Sequence, residues 1–388
     1  MGPSLKVLEF YSGIGGVHYA LTYAGVSVHV EAAFEINTSA NSVYRHNFPQ
    51  TTLLQKNIEG LNLEDLEHFN ADVWTMSPPC QPYTRLGKQE ASCDPRAKSF
   101  KKLMNILMKM TSPPSFIFLE NVKGFEVSDS CEDFLMILNS KGYYTQSFLL
   151  SPIDFGIPNS RLRYYLIARY QKKFNFKTTQ KPICLNGNLC ECEGLDMECA
   201  CTALASVVQL YKPMKIKDIL NVDNSVSSEI NSSSFCEPDL KKMLDLLQKR
   251  SFPIKFTKIS HSILLRYYSL FDIVDSDSNK SCCFTSGYSR FIEGTGSLFS
   301  CLPQSDRNLI LNKLSITEND NESNIDLLES LQLRFFSPEE IAALLCFPIC
   351  FSFPDKITEK QKYKLLGNSV NVLVVANVMR YFLFENKI

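Results

Sequence analysis

The chain has 388 residues, 45% of them hydrophobic and 21% charged, which is enough length for two or three units with sizeable cores. Its 40 Lys and Arg against 41 Asp and Glu leave a formal charge of -1; that balance, with so much apolar sequence, excludes disorder as the dominant state. It also removes any global attraction to nucleic acid, so such a partner has to be argued from local patches.

The longest stretch free of Asp, Glu, Lys and Arg, residues 10–30, has the length of a membrane helix. It is broken by Gly13, Gly15, Gly16, Gly25, His18 and His29, so a bilayer span is not expected. No signal-peptide or myristoylation pattern opens the sequence. The 14 cysteines are therefore expected to be mostly reduced thiols of an intracellular protein.

In chain order, residues 5–10, 26–34, 71–76, 115–119 and 144–150 read as strands, several apolar on both faces as buried parallel strands are. Leu103, Ile106, Leu107 and Met110 fall at helical spacing, as do Cys131, Phe134, Leu135 and Leu138. Strand alternating with helix predicts an α/β fold with a doubly wound, Rossmann-like sheet. Residues 162–169 add a strand close behind 144–150, which predicts an antiparallel pair at the end of the sheet. Residues 171–330 change in texture, with a cysteine cluster, serines at 225–234, an amphipathic pattern at Leu240, Met243, Leu244 and Leu247, and an acidic stretch at 317–326. They predict a smaller, irregular second domain. Residues 331–388 then return as helices: Ser337-Pro338-Glu339-Glu340 has a cap with proline at the first position, and residues 370–383 form a strongly apolar last helix.

The turn Tyr11-Ser12-Gly13-Ile14-Gly15-Gly16 follows the first strand and leads into a helix, where glycines let a backbone approach a ligand. Glu35, nineteen residues after Gly16 at the end of the second strand, can accept both ribose hydroxyls of a nucleoside. The spacing is neither GxGxxG nor a P-loop, so an adenosine without phosphates fits better than a pyrophosphate. Ser77-Pro78-Pro79-Cys80-Gln81-Pro82 follows another strand, at the sheet edge where ligands bind. Its three prolines restrict the backbone around one thiol; the alternative is a structural turn with a bystander cysteine. Glu120-Asn121-Val122 puts a carboxylate at the same edge, either a buried acid or the cap of the next helix. Arg161 and Arg163 are placed on the same side of a strand, since residues two apart share a face. They can bind a phosphate or a base edge, lower a thiol pKa, or lie on a solvated face. Leu366-Gly367-Asn368-Ser369-Val370 can close over a ligand or simply start a helix.

Together these motifs resemble the cytosine-5 methyltransferase family, in its usual order. The set comprises the glycine turn, Glu35, Pro78-Pro79-Cys80-Gln81, Glu120-Asn121-Val122, Arg161-x-Arg163, a segment with Arg334, Ser337 and Glu339/Glu340 running to Phe347-Pro348, and Leu366-Gly367-Asn368-Ser369-Val370. The resemblance covers residues 5–170 and 331–385. Cys283-Phe284-Thr285 followed by Gly287-Tyr288 is similar to the signature of the branch that methylates cytosine 38 in the anticodon loop of aspartate tRNA.

The resemblance implies S-adenosyl-L-methionine as cofactor, held by Tyr11, Ser12, Gly13, Ile14, Gly15, Gly16, Glu35, Ile36, Asn57, Ile58, Ser77, Pro79, Asn368, Ser369 and Val370. It implies a Cys80 thiolate that adds to carbon 6 of cytosine, with Glu120, Arg161 and Arg163 as further catalytic residues. Arg85 and Lys88 in a basic stretch, with Cys283, Phe284, Thr285 and Tyr288, are the implied tRNA contacts; the basic stretch is otherwise a solvated loop and helix start, and Tyr83 and Tyr288 either stack on a base or serve as packing. One departure is Asn57, where the family often has Asp before Ile, so the adenine amino group would meet a neutral acceptor. A monomer is expected, in the cytoplasm with the nucleus as an additional compartment.

Two alternatives remain open at this point. A DNA cytosine-5 methyltransferase would share the chemistry, but residues 171–330 are not notably basic. A nucleic-acid-binding protein that keeps the fold would have no need of Cys80, Glu120 and Arg163. Cys190, Cys192, Cys199 and Cys201 form either a zinc site or an oxidation-sensitive loop; C-x-C is tighter than usual zinc spacing, and no metal is assigned.

Overall fold

The computed structural model describes residues 4–79, 98–185, 199–220, 259–316 and 321–385. Cys80, Gln81, Tyr83, Arg85, Lys88, Cys190, Cys192 and the pattern at 240–247 lie outside them.

Apolar runs that bury both faces make the central sheet. Strands β1 (Leu5–Phe10), β2 (Val28–Phe34), β3 (Leu53–Leu54), β4 (Val73–Met76), β5 (Phe116–Val122), β6 (Tyr143–Leu150), β7 (Arg163–Tyr170) and β8 (Ile183–Cys184) are arranged β3-β2-β1-β4-β5-β7-β6-β8. Pairing is parallel from β3 through β5, and β7 runs antiparallel between β5 and β6. The expected antiparallel pair, β6 with β7, is present, but the sheet ends on β8, which runs parallel to β6. Alternation along each strand sorts side chains to two faces. Val7, Val73 and Phe118 enter a core with helices Gly16–Thr22 and Val372–Asn377. Leu8, Trp74, Ile117 and Leu119 enter another with helices Lys98–Lys109 and Asp129–Ser140.

The predicted domain limits do not coincide with the strand pairing. β8 lies beyond residue 170 yet pairs with β6. A second sheet, β11-β10-β9, joins β9 (Ile273–Val274) and β10 (Leu298–Ser300) to β11 (Leu333–Arg334), which lies beyond residue 330. Its core is continuous with the first face of the large sheet.

The cap at residue 337 is present: Ser337 Oγ accepts from Glu340 N–H and Pro338 opens helix Pro338–Leu344. The last helix starts at Val372, two residues later than expected. Asn371 caps it by accepting from Val374 N–H while donating to the Leu344 carbonyl, and it continues as a π-helix over Val378–Leu383.

Candidate active site

β1 delivers its turn to the carboxyl edge of the parallel strands. Tyr11, Gly13 and Gly15 all have positive φ there, at 58°, 55° and 86°. A Cβ on Gly15 would meet the Phe48 ring at 2.3 Å, and one on Gly16 would meet Val370 Cγ2 at 2.8 Å and Ser369 Oγ at 2.9 Å. Glycine is therefore required at 15 by conformation and space, and at 16 by space alone. Glu35, just past β2, accepts from Gly13 N–H at 3.0 Å and Asn37 N–H at 2.7 Å. Each carboxylate oxygen keeps a second lone pair for a ligand hydroxyl.

From this turn to β5 runs one cavity of about 690 Å³, within the range of small-molecule sites. Every residue expected to hold the cofactor lines it except Gly15, which packs behind the turn on Phe48. Glu120, Arg161 and Arg163 line its other end. Ser99, Lys56 and Asn121 also line it; of these Ser99, which accepts from the Tyr11 hydroxyl at 3.0 Å, is not legible in the sequence, because a serine opening a helix carries no local signal. The Asn57 side chain accepts from Glu59 N–H at 3.1 Å, capping a 3₁₀ turn.

Glu120 sits in β5, which continues to Val122 and does not stop at Leu119. Asn121 Nδ2 donates to the Pro78 carbonyl at 3.2 Å, tying β5 to the proline loop. Burial raises the Glu120 pKa, against the opposing pull of Arg163, Arg161 and the Ser77 hydroxyl. Burial of this kind favours the protonated form, the one that can donate a proton. Arg163 Nε lies 3.6 Å from Glu120 Oε1.

Arg161 does not share a strand face with Arg163, since β7 begins at Arg163. Its guanidinium turns inward and donates to the carbonyls of Phe284, at 3.0 Å, Gly367, at 2.9 Å, and Ser369. It joins three chain segments at the cavity wall. Cys283 packs on both arginines, with its sulfur 3.5 Å from Arg161 Nη1 and 3.9 Å from Arg163 Nη2. Burial opposes ionisation of this thiol, but Arg161 and then Arg163 outweigh it and hold the pKa below its ordinary value.

The structure encloses Phe284, an expected tRNA contact, and of the two readings of Tyr288 it has the ring as packing and not as a base platform. Both rings are buried and pack edge to face on one another; the Tyr288 hydroxyl donates to the Ser297 carbonyl at 2.7 Å and accepts from Phe336 N–H. A ring enclosed in this way has no face left for a base. Neither Cys283 nor Thr285 lines the cavity. Of the four clustered cysteines, Cys199 and Cys201 lie within the described residues, and Cys199 Sγ is 3.3 Å from Thr202 Oγ1.

Comparison with known proteins decides the family. Residues 5–382 match the C-5 cytosine-specific DNA methylase family. The chain belongs to that family. A human protein named tRNA (cytosine(38)-C(5))-methyltransferase is 39% identical across 97% of this chain and 98% of its own length. A Dictyostelium discoideum DNA (cytosine-5)-methyltransferase is 39% identical across 99% of this chain and 95% of its own. Among solved structures, a Spodoptera frugiperda DNMT2 mutant matches with a TM-score of 0.76 at 36% identity, covering 98% of this chain and 100% of that one. In this C-5 methylase, the cavity accordingly spans the expected donor end and the expected base end of one reaction.

The donor end passes a test of fit. The Ser12 hydroxyl is buried on the cavity wall and makes no hydrogen bond among the described residues. A Cβ on Gly13 would meet nothing within 4 Å. A polar nucleoside can use both the free hydroxyl and the open space.

Proposed function

We propose that the protein transfers a methyl group to carbon 5 of cytosine 38 in aspartate tRNA. The observation that carries this reading is the single cavity that brings the glycine turn and Glu35 together with Glu120 and Arg163. The relatives named tRNA (cytosine(38)-C(5))-methyltransferase support RNA as the substrate, and the Cys283-Phe284-Thr285 segment supports aspartate tRNA within it.

S-adenosylmethionine, the methyl donor of the family, supplies an electrophilic methyl group. Glu35 would hold the ribose hydroxyls, and Ser12 and the Gly13 turn would line the donor. At the base end, a bond forms between Cys80 Sγ and carbon 6 of cytosine while nitrogen 3 takes a proton from Glu120. Carbon 5, made electron-rich, takes the methyl group. Loss of the carbon 5 proton to a base then breaks the bond to sulfur, and the nitrogen 3 proton returns to Glu120. Arg163, beside Glu120, orients the carboxyl and offers a cation to the base edge. An anticodon-loop cytosine is already partly unstacked, which lowers the cost of bringing it into the cavity.

Labelled methyl transfer from S-adenosylmethionine to an aspartate tRNA transcript tests the reading, with duplex DNA in parallel. Label is expected in tRNA and lost in Cys80→Ala. Glu120→Gln should lower kcat by about 10²–10³-fold with donor affinity nearly unchanged. Label in DNA alone would overturn the choice of substrate.

A further inference from the structure

The aromatic segment expected to stack on a base does present one ring to solvent, at a position not anticipated from the sequence. Phe284 and Tyr288 are 2% and 3% exposed, whereas Phe291, three residues on from Tyr288, is 56% exposed. It sits on a turn with a defined backbone. Arg290 N–H and Phe291 N–H both donate to the Gly287 carbonyl, at 3.0 Å and 2.9 Å, and the Thr295 hydroxyl donates to the Phe291 carbonyl at 2.6 Å. One edge of the ring lies beside Gly287, where an added Cβ would be 3.0 Å from Phe291 Cδ2.

The turn starts at the cavity wall. Thr285 is so close to the cavity-lining Gly367 that a Cβ there would meet the Thr285 carbonyl carbon at 2.2 Å. Two residues of chain and the contact with Gly287 keep the nearest edge of the Phe291 ring within roughly 10–12 Å of that wall. The Arg290 guanidinium lies 4.9 Å from the ring centroid and puts a cation beside the exposed aromatic surface. Among residues 283–300 Arg290 is the one cation and Glu293 the one anion. An aromatic ring with an arginine against it is the pairing that binds unstacked nucleobases and their phosphates.

We propose that Phe291, with Arg290 beside it, is a stacking platform for an unpaired base flanking the target cytosine, and so a positioning residue for the RNA substrate. This rests on the tRNA reading above. The base stacks on the ring face that Arg290 leaves open, and the guanidinium meets the adjoining phosphate. The enclosed Tyr288 and Phe284 serve as the support that holds the turn.

The chain has one tryptophan, Trp74, which is 1% exposed; Phe291→Trp therefore places a second, exposed reporter at the proposed platform. Titration of that variant with an anticodon stem-loop RNA should quench its emission to saturation, and an equal concentration of duplex DNA should not. Phe291→Ala should raise KM for tRNA by about tenfold or more, the loss of one base stack, with kcat changed less than about threefold and donor binding intact. If wild-type protein methylates tRNA but the emission of the Phe291→Trp variant is unmoved and KM for Phe291→Ala stays within about twofold, the platform is refuted. Equal quenching by duplex DNA also refutes it, because a paired base has no free face. Failure of the wild type to methylate tRNA refutes instead the substrate reading on which the platform depends.

Discussion

Glu9 shows how one buried residue sets a pH dependence that no surface inspection reveals. It lies in β1 beneath the donor turn, accepts from the Tyr44 hydroxyl at 2.8 Å, and has His18 at 3.7 Å. Burial, partly offset by Tyr44, pushes its pKa from 4.5 to about 8. Burial and then His29 lower His18 from 6.5 to about 3. The raised carboxyl contributes stability that is present below its ordinary pKa and lost as pH rises through about 8. The depressed imidazole contributes stability lost as pH falls from about 6.5 through about 3. Together they predict a plateau between about pH 4.5 and 6.5, with stability declining on either side. Melting temperatures across pH check this: Glu9→Gln should remove most of the fall above pH 6.5 and, with no opposing carboxyl, extend the acid limb up to about pH 6.5.

At the scale of elements, the donor site depends on the packing of two chain segments more than on any side-chain contact. The Gly13–Gly16 turn and the Asn368–Val370 segment meet at Gly16, whose missing Cβ leaves the space that Val370 and Ser369 occupy. Gly16→Ala would drive those two residues off the wall. Donor affinity, measured by calorimetry, should fall by about tenfold, since about 1.4 kcal/mol of misfit suffices, while melting temperature should change little. Gly15→Ala differs in kind. Its φ of 86° and the Phe48 ring at 2.3 Å add strain to overlap, and loss of stability is expected with loss of binding. Both glycines were legible in the sequence as a turn. Their separate reasons were not, because Phe48 and Val370 are remote in the chain.

For the whole molecule, the decisive contact joins the segment around residue 285 to the C-terminal segment through Gly367. Arg161 reinforces it by donating to the carbonyls of Phe284, Gly367 and Ser369. A Cβ at Gly367 would meet Ser286 N at 2.1 Å and the Thr285 carbonyl carbon at 2.2 Å, and neither backbone can yield as a side chain would. Gly367→Ala should therefore cost roughly 1–3 kcal/mol of stability and reduce donor and RNA affinity together. Denaturant titration with parallel binding measurements checks the joint effect; a fall in stability with both affinities intact would show that the contact does not couple the two ends of the cavity.

Local chemistry was enough to specify the α/β sheet, its antiparallel pair, the glycine turn, Glu35 and Glu120. Strand periodicity and turn residues act over a few positions, and each of these features is written within such a span. The roles of Arg161, Tyr288 and Phe291 depend on which side chains meet across distant parts of the chain. Arg161 and Arg163 look alike in the sequence, yet the start of β7 sends one to three backbone carbonyls and the other to Glu120. Tyr288 and Phe291 are equally aromatic, and burial against Phe284, Phe335 and Tyr363 distinguishes them. Periodicity determines what a segment becomes, whereas the exposure of a single ring is settled only when distant segments close around its neighbours.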